Sequence, residues 1–524
     1  MKFLLRNLLK GISFLANPIL ETFLKLSVAR GIVVSFGTAI FIGSFILYFL
    51  ENGNLTYIDS LYLSASAFSI TGLSPVSISS LSFTTKIALM LFFQAGGLGI
   101  IVMTVLIGVL VINNLSRNTK LHDFISEALD TDTKKFDGPD KEAKYDRSKI
   151  IRVIISILNI TITIELLGTI SLYYTLPENI VEHRFFVALF TAISAFNNAG
   201  FSVFDTAGFL RNYPIPLTIL SILIVIGGIG YPVIIYIEKS LLQILKQLFS
   251  KIEILGETYV MRTAIQGKEP PQLYILLTKL SYFTETRIED YNKTITGESN
   301  RVQTKIILYG SLYLILAGFF GILYLEFNNT HTLGELNLID KIFNSLFLSI
   351  STRTAGFNSI DITNINDPTM VLICLLMFVG GGPQGTAGGI KITTFVILAK
   401  YLINVLSSQG FVVISGSNVS KKSVAMSTRL YFLSTSSLAI IIFILTYLHG
   451  VNNAIQIITF EVISAFSTVG LSLGITSNLG DLEKIIYIFL MYVGRIGIFT
   501  VLIAITGNTA TSFEDDDGLK IQVG

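Results

Sequence analysis

Four segments spread along the chain end on the same short pattern, and that repetition limits the possible folds more than any single residue does. They read SAFSITGLS (66–74), SAFNNAGFS (194–202), ISTRTAGFN (350–358) and SAFSTVGLS (464–472). In each, a small or hydroxyl-rich run leads to Gly72, Gly200, Gly356 or Gly470, then to Leu or Phe, then to Ser or Asn. A second string follows each: GGLG at 96–99, GGIG at 227–230, GGGP at 380–383 and GRIG at 494–497. Glycine to second string is 24, 27, 24 and 24 residues, so two markers keep register in four places. That is one supersecondary unit used four times.

The units are built for a bilayer. Only 14% of residues are charged, 37 Lys+Arg against 35 Asp+Glu, and mean hydropathy is +0.68. That composition excludes a disordered tail and a nucleic-acid binder. A hydrocarbon core about 30 Å thick needs roughly 20 helical residues. Apolar stretches of that length lie near 31–50, 85–112, 150–175, 215–237, 304–325, 369–405, 428–448 and 484–506. Shorter ones, near 58–70, 184–196, 340–352 and 454–466, are expected to dip in and return. The fold class expected is an all-α polytopic membrane protein. Four tandem helix–re-entrant P-loop–helix repeats supply eight transmembrane helices in a pseudo-fourfold arrangement around one pore.

Lys and Arg give the orientation. The first 30 residues hold five, 113–149 hold eight, 238–305 hold ten and 408–429 hold three, while loops beside the dips hold at most two. The expected order is a cytoplasmic amphipathic segment (1–30), repeat 1 (31–112), a cytoplasmic linker (113–149), repeat 2 (150–237) and a second linker (238–303). Repeat 3 (304–407, with an intramembrane loop at 380–394), a third linker (408–427), repeat 4 (428–507) and a cytoplasmic acidic tail (508–524) complete it. Both termini are expected in the cytoplasm of a plasma (inner) membrane. One cysteine, Cys374, and four scattered histidines exclude disulfide scaffolds and Cys/His zinc sites. With no HExxH and no cysteine–histidine pair, no enzyme activity is expected.

Unpaired backbone groups at membrane depth must be buried in protein or face a water-filled path. Any one glycine turn could serve only close packing. Four in register, each at the negative end of a short helix dipole, favour a ring of carbonyls replacing the hydration shell of a monovalent cation.

The motifs TGLS, NNAGFS, TRTAGFN and STVGLS resemble the four filter segments of the Trk/Ktr/HKT superfamily of potassium transporters, and the chain resembles most its Ktr-type membrane subunit. The likeness runs from about residue 31 to 506. It implies K⁺ as the transported ion, filter glycines Gly72, Gly200, Gly356 and Gly470, and a further carbonyl layer at Thr71, Ala199, Ala355 and Val469. Serine at the first of these glycines accompanies sodium selectivity in some plant members, so Gly72 favours potassium. GGGPQGTAGGIKITT, from Gly380 to Thr394, packs six glycines and a proline into eleven residues and cannot hold a helix. It resembles the family's intramembrane gate loop, with Gly385, Thr386, Ala387, Gly388 and Gly389 where the family has Ser-Thr-Gly-Gly-Gly.

Arg495 stands where the first two repeats have Gly97 and Gly228. The resemblance makes it a pore barrier contacting that loop. The other reading is a tie to Glu461, to loop carbonyls or to helix ends. Arg353 is expected to brace the third filter from behind. Glu165, Glu461, Asn197 and Asn198 read as hydrogen-bond struts, and Lys391 as a snorkelling residue or a gate contact. The resemblance further implies a homodimer and a cytosolic ring of nucleotide-binding regulatory subunits. No cofactor is expected in this chain, so any nucleotide regulation falls to the separate subunit. A Na⁺-selective, or Na⁺- or H⁺-coupled, secondary transporter of the same fold is the alternative.

Overall fold

The computed structural model describes residues 28–99, 147–177, 183–204, 210–247, 298–407, 412–449, 454–506 and 521–523, with isolated residues 272 and 284. The N-terminal segment 1–27, most of the 113–149 and 238–303 linkers and most of the 508–524 tail lie outside them.

The described chain is built from four successive runs of helices. The first holds α1 (Val28–Leu50), α2 (Tyr57–Phe68) and α3 (Phe83–Leu98). The second holds α4 (Arg147–Thr175), α5 (Arg184–Phe196), α6 (Pro214–Ile229) and α7 (Tyr231–Gln247). The third holds α8 (Glu298–Glu326), α9 (Leu338–Ser351), α10 (Asp367–Phe378) and α11 (Ile392–Leu406). A hairpin, β1 (Val413–Ile414) with β2 (Ser417–Asn418), leads to the fourth, α12 (Lys421–His449), α13 (Ala454–Phe466), α14 (Asp481–Ile496) and α15 (Ile498–Thr506).

Local chemistry starts the helices. Thr56, Ser82 and Asn337 cap α2, α3 and α9 by accepting from the backbone N–H of Asp59, Thr85 and Asp340. Pro sits in the first turn of α6 and of α10. Two carboxylates tie the end of a long helix to the start of α3 or α10: Glu51 accepts the Ser82 N–H at 2.8 Å and Glu326 the Asn366 N–H at 2.9 Å. Burial pushes the Glu51 carboxyl up, but its bonds with Thr85 and Ser82 outweigh that and leave it below the usual carboxylate range.

Packing runs in a circle. Each long helix lies on the short helix of its own run, α1 on α2, α4 on α5, α8 on α9 and α12 on α13. Across runs, α3 packs on α5, α6 on α9, α10 on α13 and α14 back on α2, which closes the circle. Inside it, Tyr62, Phe93, Phe190, Phe196, Phe347 and Phe460 are fully buried. The long helices turn apolar side chains outward, among them Phe41, Phe45, Leu166, Tyr313, Phe443 and Tyr447, as a lipid-facing surface requires.

Several boundaries differ from the sequence reading. Among the described residues four helices are long and apolar enough to cross a membrane alone: Ala29–Leu50, Ile155–Thr175, Ser299–Glu326 and Lys421–His449. The stretches 215–237, 369–405 and 484–506 are not continuous helices. α6 and α7 meet at 107°, α14 and α15 at 95°, and residues 379–391 separate α10 from α11. The cause is the last glycine of the second string: Gly230 and Gly497, at φ 90° and 93°, end their helices in a left-handed residue. Gly99, at φ 86°, ends α3 in the same way, and residues 100–112 of the stretch read as 85–112 lie outside the described residues. The loop read as 380–394 stops at Lys391, because Ile392, Thr393 and Thr394 form the first turn of α11. The linker read as 408–427 contains the hairpin, which makes the fold not wholly helical, and α12 starts at Lys421 rather than 428. α7 reaches residue 247 and α8 starts at Glu298, so both enter the stretch read as the 238–303 linker.

Candidate functional site

The four short helices end where the repeated glycines begin, and the backbone then does the same thing four times. Gly72, Gly200, Gly356 and Gly470 have φ of 91°, 70°, 75° and 92°. Two residues earlier Ile70, Asn198, Thr354 and Thr468 are also left-handed, at 53°, 55°, 68° and 50°. Three of these are β-branched, for which the conformation is strained by about 1–3 kcal/mol and persists only where the surroundings enforce it.

Hydrogen bonds aim the peptides. The N–H groups of Thr71, Ala199 and Val469 each return to the carbonyl of Ser66, Ser194 or Ser464 at 2.8 Å, and that of Ala355 to Ser351 at 2.9 Å. The Gly72 and Gly470 N–H groups donate to the hydroxyls of Ser66 and Ser464 at 3.0 and 3.1 Å. A trans peptide points its C=O opposite to its N–H, and no peptide here is cis. With N–H groups held back toward the short helices, the carbonyls of residues 70 and 71, and of 468 and 469, face the other way. The Ser194 hydroxyl donates to Phe201 O at 2.8 Å, and the Ser351 hydroxyl to Phe357 O, so all four serines brace their turns.

The turns meet in a closed ring. A Cβ built on Gly72 lies 2.5 Å from Ala199 O and 3.0 Å from Gly200 Cα. On Gly200 it lies 2.9 Å from Ala355 O and 3.2 Å from Gly356 Cα. On Gly356 it strikes Val469 O and lies 3.1 Å from Gly470 Cα. On Gly470 it strikes Thr71 O and lies 3.2 Å from Gly72 Cα. All eight residues singled out from the motifs are therefore together, and Thr71, Ala199, Ala355 and Val469 are fully buried. The sequence reading missed the layer at 70, 198, 354 and 468 and the four bracing serines; only the serines left a signal, in the hydroxyl-rich run before each glycine.

Beside the ring the four runs diverge. The space over Gly97 is taken by the Asn197 side chain, and a Cβ on Gly228 would lie 3.1 Å from the Asn198 side-chain amide. Asn197 donates to Gln94 at 2.8 Å and to Glu165 at 3.0 Å, so these polar groups are struts. In the third run the loop 379–391 closes on itself through Gly380 N–H to Ile390 O at 2.8 Å and Ile392 N–H to Gly381 O at 3.0 Å. It docks on the second run through Gly382 N–H to Gly228 O at 3.0 Å. Its far side presses on the fourth turn, where a Cβ on Gly388 would lie 3.0 Å from Thr468 Cβ and one on Gly389 3.2 Å from Ser467 Cβ.

Three cations grip this loop by its carbonyls. Arg495 donates to Thr386 O and to Gly96 O, each at 2.6 Å; Arg353 to Gly380 O at 2.8 Å; Lys391 to Ala387 O at 2.6 Å. Among the described residues none of the three has a carboxylate partner. The tie of Arg495 to Glu461 is not made: Glu461 accepts from the hydroxyls of Ser472 and Thr476 instead. The arrangement places a ring of backbone carbonyls next to a glycine-rich loop held by three basic side chains.

Comparison with known proteins gives one family and consistent relatives. The family model TrkH, described as a cation transport protein, matches residues 22–262 and 301–511. The Ktr system potassium uptake protein B of Bacillus subtilis is 28% identical over 470 residues, covering 88% of this chain and 89% of that protein. The potassium/sodium uptake protein NtpJ of Enterococcus hirae is 26% identical, covering 92% and 93%. The crystal structure of the potassium transporter TrkH from Vibrio parahaemolyticus shares the fold, with a TM-score of 0.61 at 16% identity over 91% of this chain and 85% of that one.

Proposed function

This chain belongs to the TrkH family of cation transport proteins, and on that premise we propose that it takes potassium into the cell, with the glycine ring as selectivity filter. The observation that carries the reading is the ring itself, in which each glycine abuts the carbonyl before the next. Such carbonyls substitute for the water shell of a dehydrated monovalent cation, at the negative ends of four short helices. Gly72, Gly200, Gly356 and Gly470 keep the lumen open, and Thr71, Ala199, Ala355 and Val469 supply one carbonyl layer. The residues before them supply a second.

Loop 379–391 is the gate and Arg495 the barrier beneath the filter. The loop lies against the filter turn at Thr468, and Arg495 holds it at Thr386. Three uncompensated cations there oppose a passing K⁺ until the loop moves. The four runs act as four repeats with eight crossings, of which the fourth, sixth and eighth are broken, and with the termini and the three linkers in the cytoplasm. A negative-inside potential, worth about 2.3 kcal/mol per charge per 100 mV, then drives uptake. A homodimer and a cytosolic nucleotide-binding ring acting on the loop complete the proposal, supported by the likeness to Ktr system proteins.

The test is cation flux into liposomes carrying the purified chain under negative-inside potential. Entry of potassium and rubidium ahead of sodium is expected. Sodium entering equally or faster would overturn the ion assignment. A reversal potential that shifts with the sodium or proton gradient would replace the pore with a coupled transporter.

A further inference from the structure

We propose that Arg353 is a positioning residue that couples the third filter turn to the neck of the gate loop, so that the ion held in the ring sets how readily the loop opens. The proposal rests on the filter and gate assignments above.

Arg353 belongs to the turn. Its N–H bonds Ile350 O at 3.1 Å, and it stands three residues before Gly356. Its side chain leaves the turn and reaches the loop, where Nη2 donates to Gly380 O at 2.8 Å. Gly380 is the residue at which the loop closes, since its own N–H is held by Ile390 O. One side chain therefore joins the third filter turn to the residue at which the loop closes. The other two cations do not make this link, because Arg495 belongs to α14 and Lys391 to the loop itself.

The equivalent residues in the other units make no hydrogen bond to the loop among the described residues, although Ser467 of the fourth unit packs against Gly389. The Ser69 hydroxyl stays within its own turn with Ser66 and Thr71, and Asn197 reaches away to Gln94 and Glu165. Only the repeat that carries the gate has an arginine at this place.

The guanidinium also has room to follow the loop. Arg353 is 7% exposed, yet its Nη1 has no hydrogen-bond partner among the described residues. It lines a small cleft shared with Gly228, Ser311, Ile350 and Gly381. A fork with five donors can keep the neck carbonyl bonded through a small shift by turning its free edge, which a single-point donor cannot.

The experiment reads the loop while the ion in the filter is changed. In the full chain with Cys374→Ser and Gln384→Cys, the rate of labelling by a water-soluble maleimide is measured in potassium and in sodium. A rate ratio of at least about threefold between the two ions is expected in this parent, falling to about one in Arg353→Gln. The K⁺/Na⁺ flux ratio of that variant should stay within about twofold of the parent, because the carbonyl ring is intact. Arg353→Met, which keeps the packed stem, is read the same way if the glutamine variant does not fold. A variant that keeps the parent's labelling ratio would overturn the coupling, as would a parent whose labelling ignores the ion. Loss of flux selectivity together with the labelling ratio would also overturn it, since Arg353 would then only brace the filter. Failure of the underlying assignment is seen separately: Gly356→Ser would leave flux selectivity unchanged.

Discussion

The ring and the layer beside it are built from the same four units and follow opposite rules. In the ring each unit repeats one backbone device, two left-handed residues with serine-braced N–H groups between, while the side chains at 70, 198, 354 and 468 follow no single residue type. In the neighbouring layer the units share a glycine string but each uses it differently: Asn197 over Gly97, Asn198 over Gly228, a thirteen-residue loop from 379 to 391, and Arg495. A site that surrounds an ion must offer equal partners on all sides. A gate needs one element that moves relative to the others. On the proposed assignment, symmetry is kept where an ion is to be surrounded and lost where a gate is to move.

The sharpest way to break this contrast is to put a side chain on the ring. Gly72→Ser adds a Cβ that meets Ala199 O at 2.5 Å and must push the neighbouring carbonyl aside. A fall of at least about tenfold in K⁺/Na⁺ selectivity is expected from one displaced carbonyl, or roughly 1.4 kcal/mol of discrimination. Gly470→Ser should do the same, since its Cβ would strike Thr71 O. Flux ratios unchanged in either variant would remove that glycine from the filter, and a large effect in only one of the two would end the claim of equivalence.

The asymmetric layer should respond in the other quantity. Deleting 385–389 removes the residues that reach Thr468 and leaves the neck at Gly380 and Ile390, so flux should rise by about five- to tenfold with selectivity kept. Arg495→Gln removes one charge and its bonds to Thr386 and Gly96, and a smaller rise of about threefold is expected. Normal or lower flux through a folded deletion variant would reject the gate.

The two regions also differ in how well the sequence announced them. The ring glycines were legible because a left-handed turn with a carbonyl against it admits no side chain, and that requirement leaves glycine at fixed spacing. The layer before them was not, because Ile70, Asn198, Thr354 and Thr468 share a dihedral angle but no one residue type, and three of them are β-branched, which argues against a left-handed residue. Hydropathy read 215–237 and 484–506 as continuous because one left-handed glycine changes a helix axis by about a right angle without changing the average. The loop's far end was misplaced for a similar reason: Lys391 to Thr394 looks like more loop, but Lys391 already sits at the cap position and Ile392 is fully buried in a helix. What Arg495 touches could be narrowed to Glu461, loop carbonyls or helix ends, yet only the packing decides: it meets the loop at Thr386 O and the end of α3 at Gly96 O.

The smallest expected effect tests whether the ring is held by its backbone or by the serines behind it. Ser66 and Ser464 each accept a glycine N–H and lie fully buried, in the two units that adjoin where the circle closes. Replacing either with alanine leaves a part-buried N–H without its acceptor, a loss of about 1 kcal/mol in stability with little lost volume. If the serines only satisfy that donor, thermal unfolding shifts and K⁺/Na⁺ selectivity moves by no more than about twofold, because the left-handed residues and the return of Thr71 N–H to Ser66 O remain. If instead the hydroxyl fixes the direction of the Thr71 or Val469 carbonyl, selectivity falls toward the level of Gly72→Ser while stability barely changes. Ser66→Thr separates the two further, since threonine keeps the acceptor and adds only a methyl. Recovery of selectivity in that variant would place the aim of the carbonyl on the side chain, and its absence would leave the aim with the backbone.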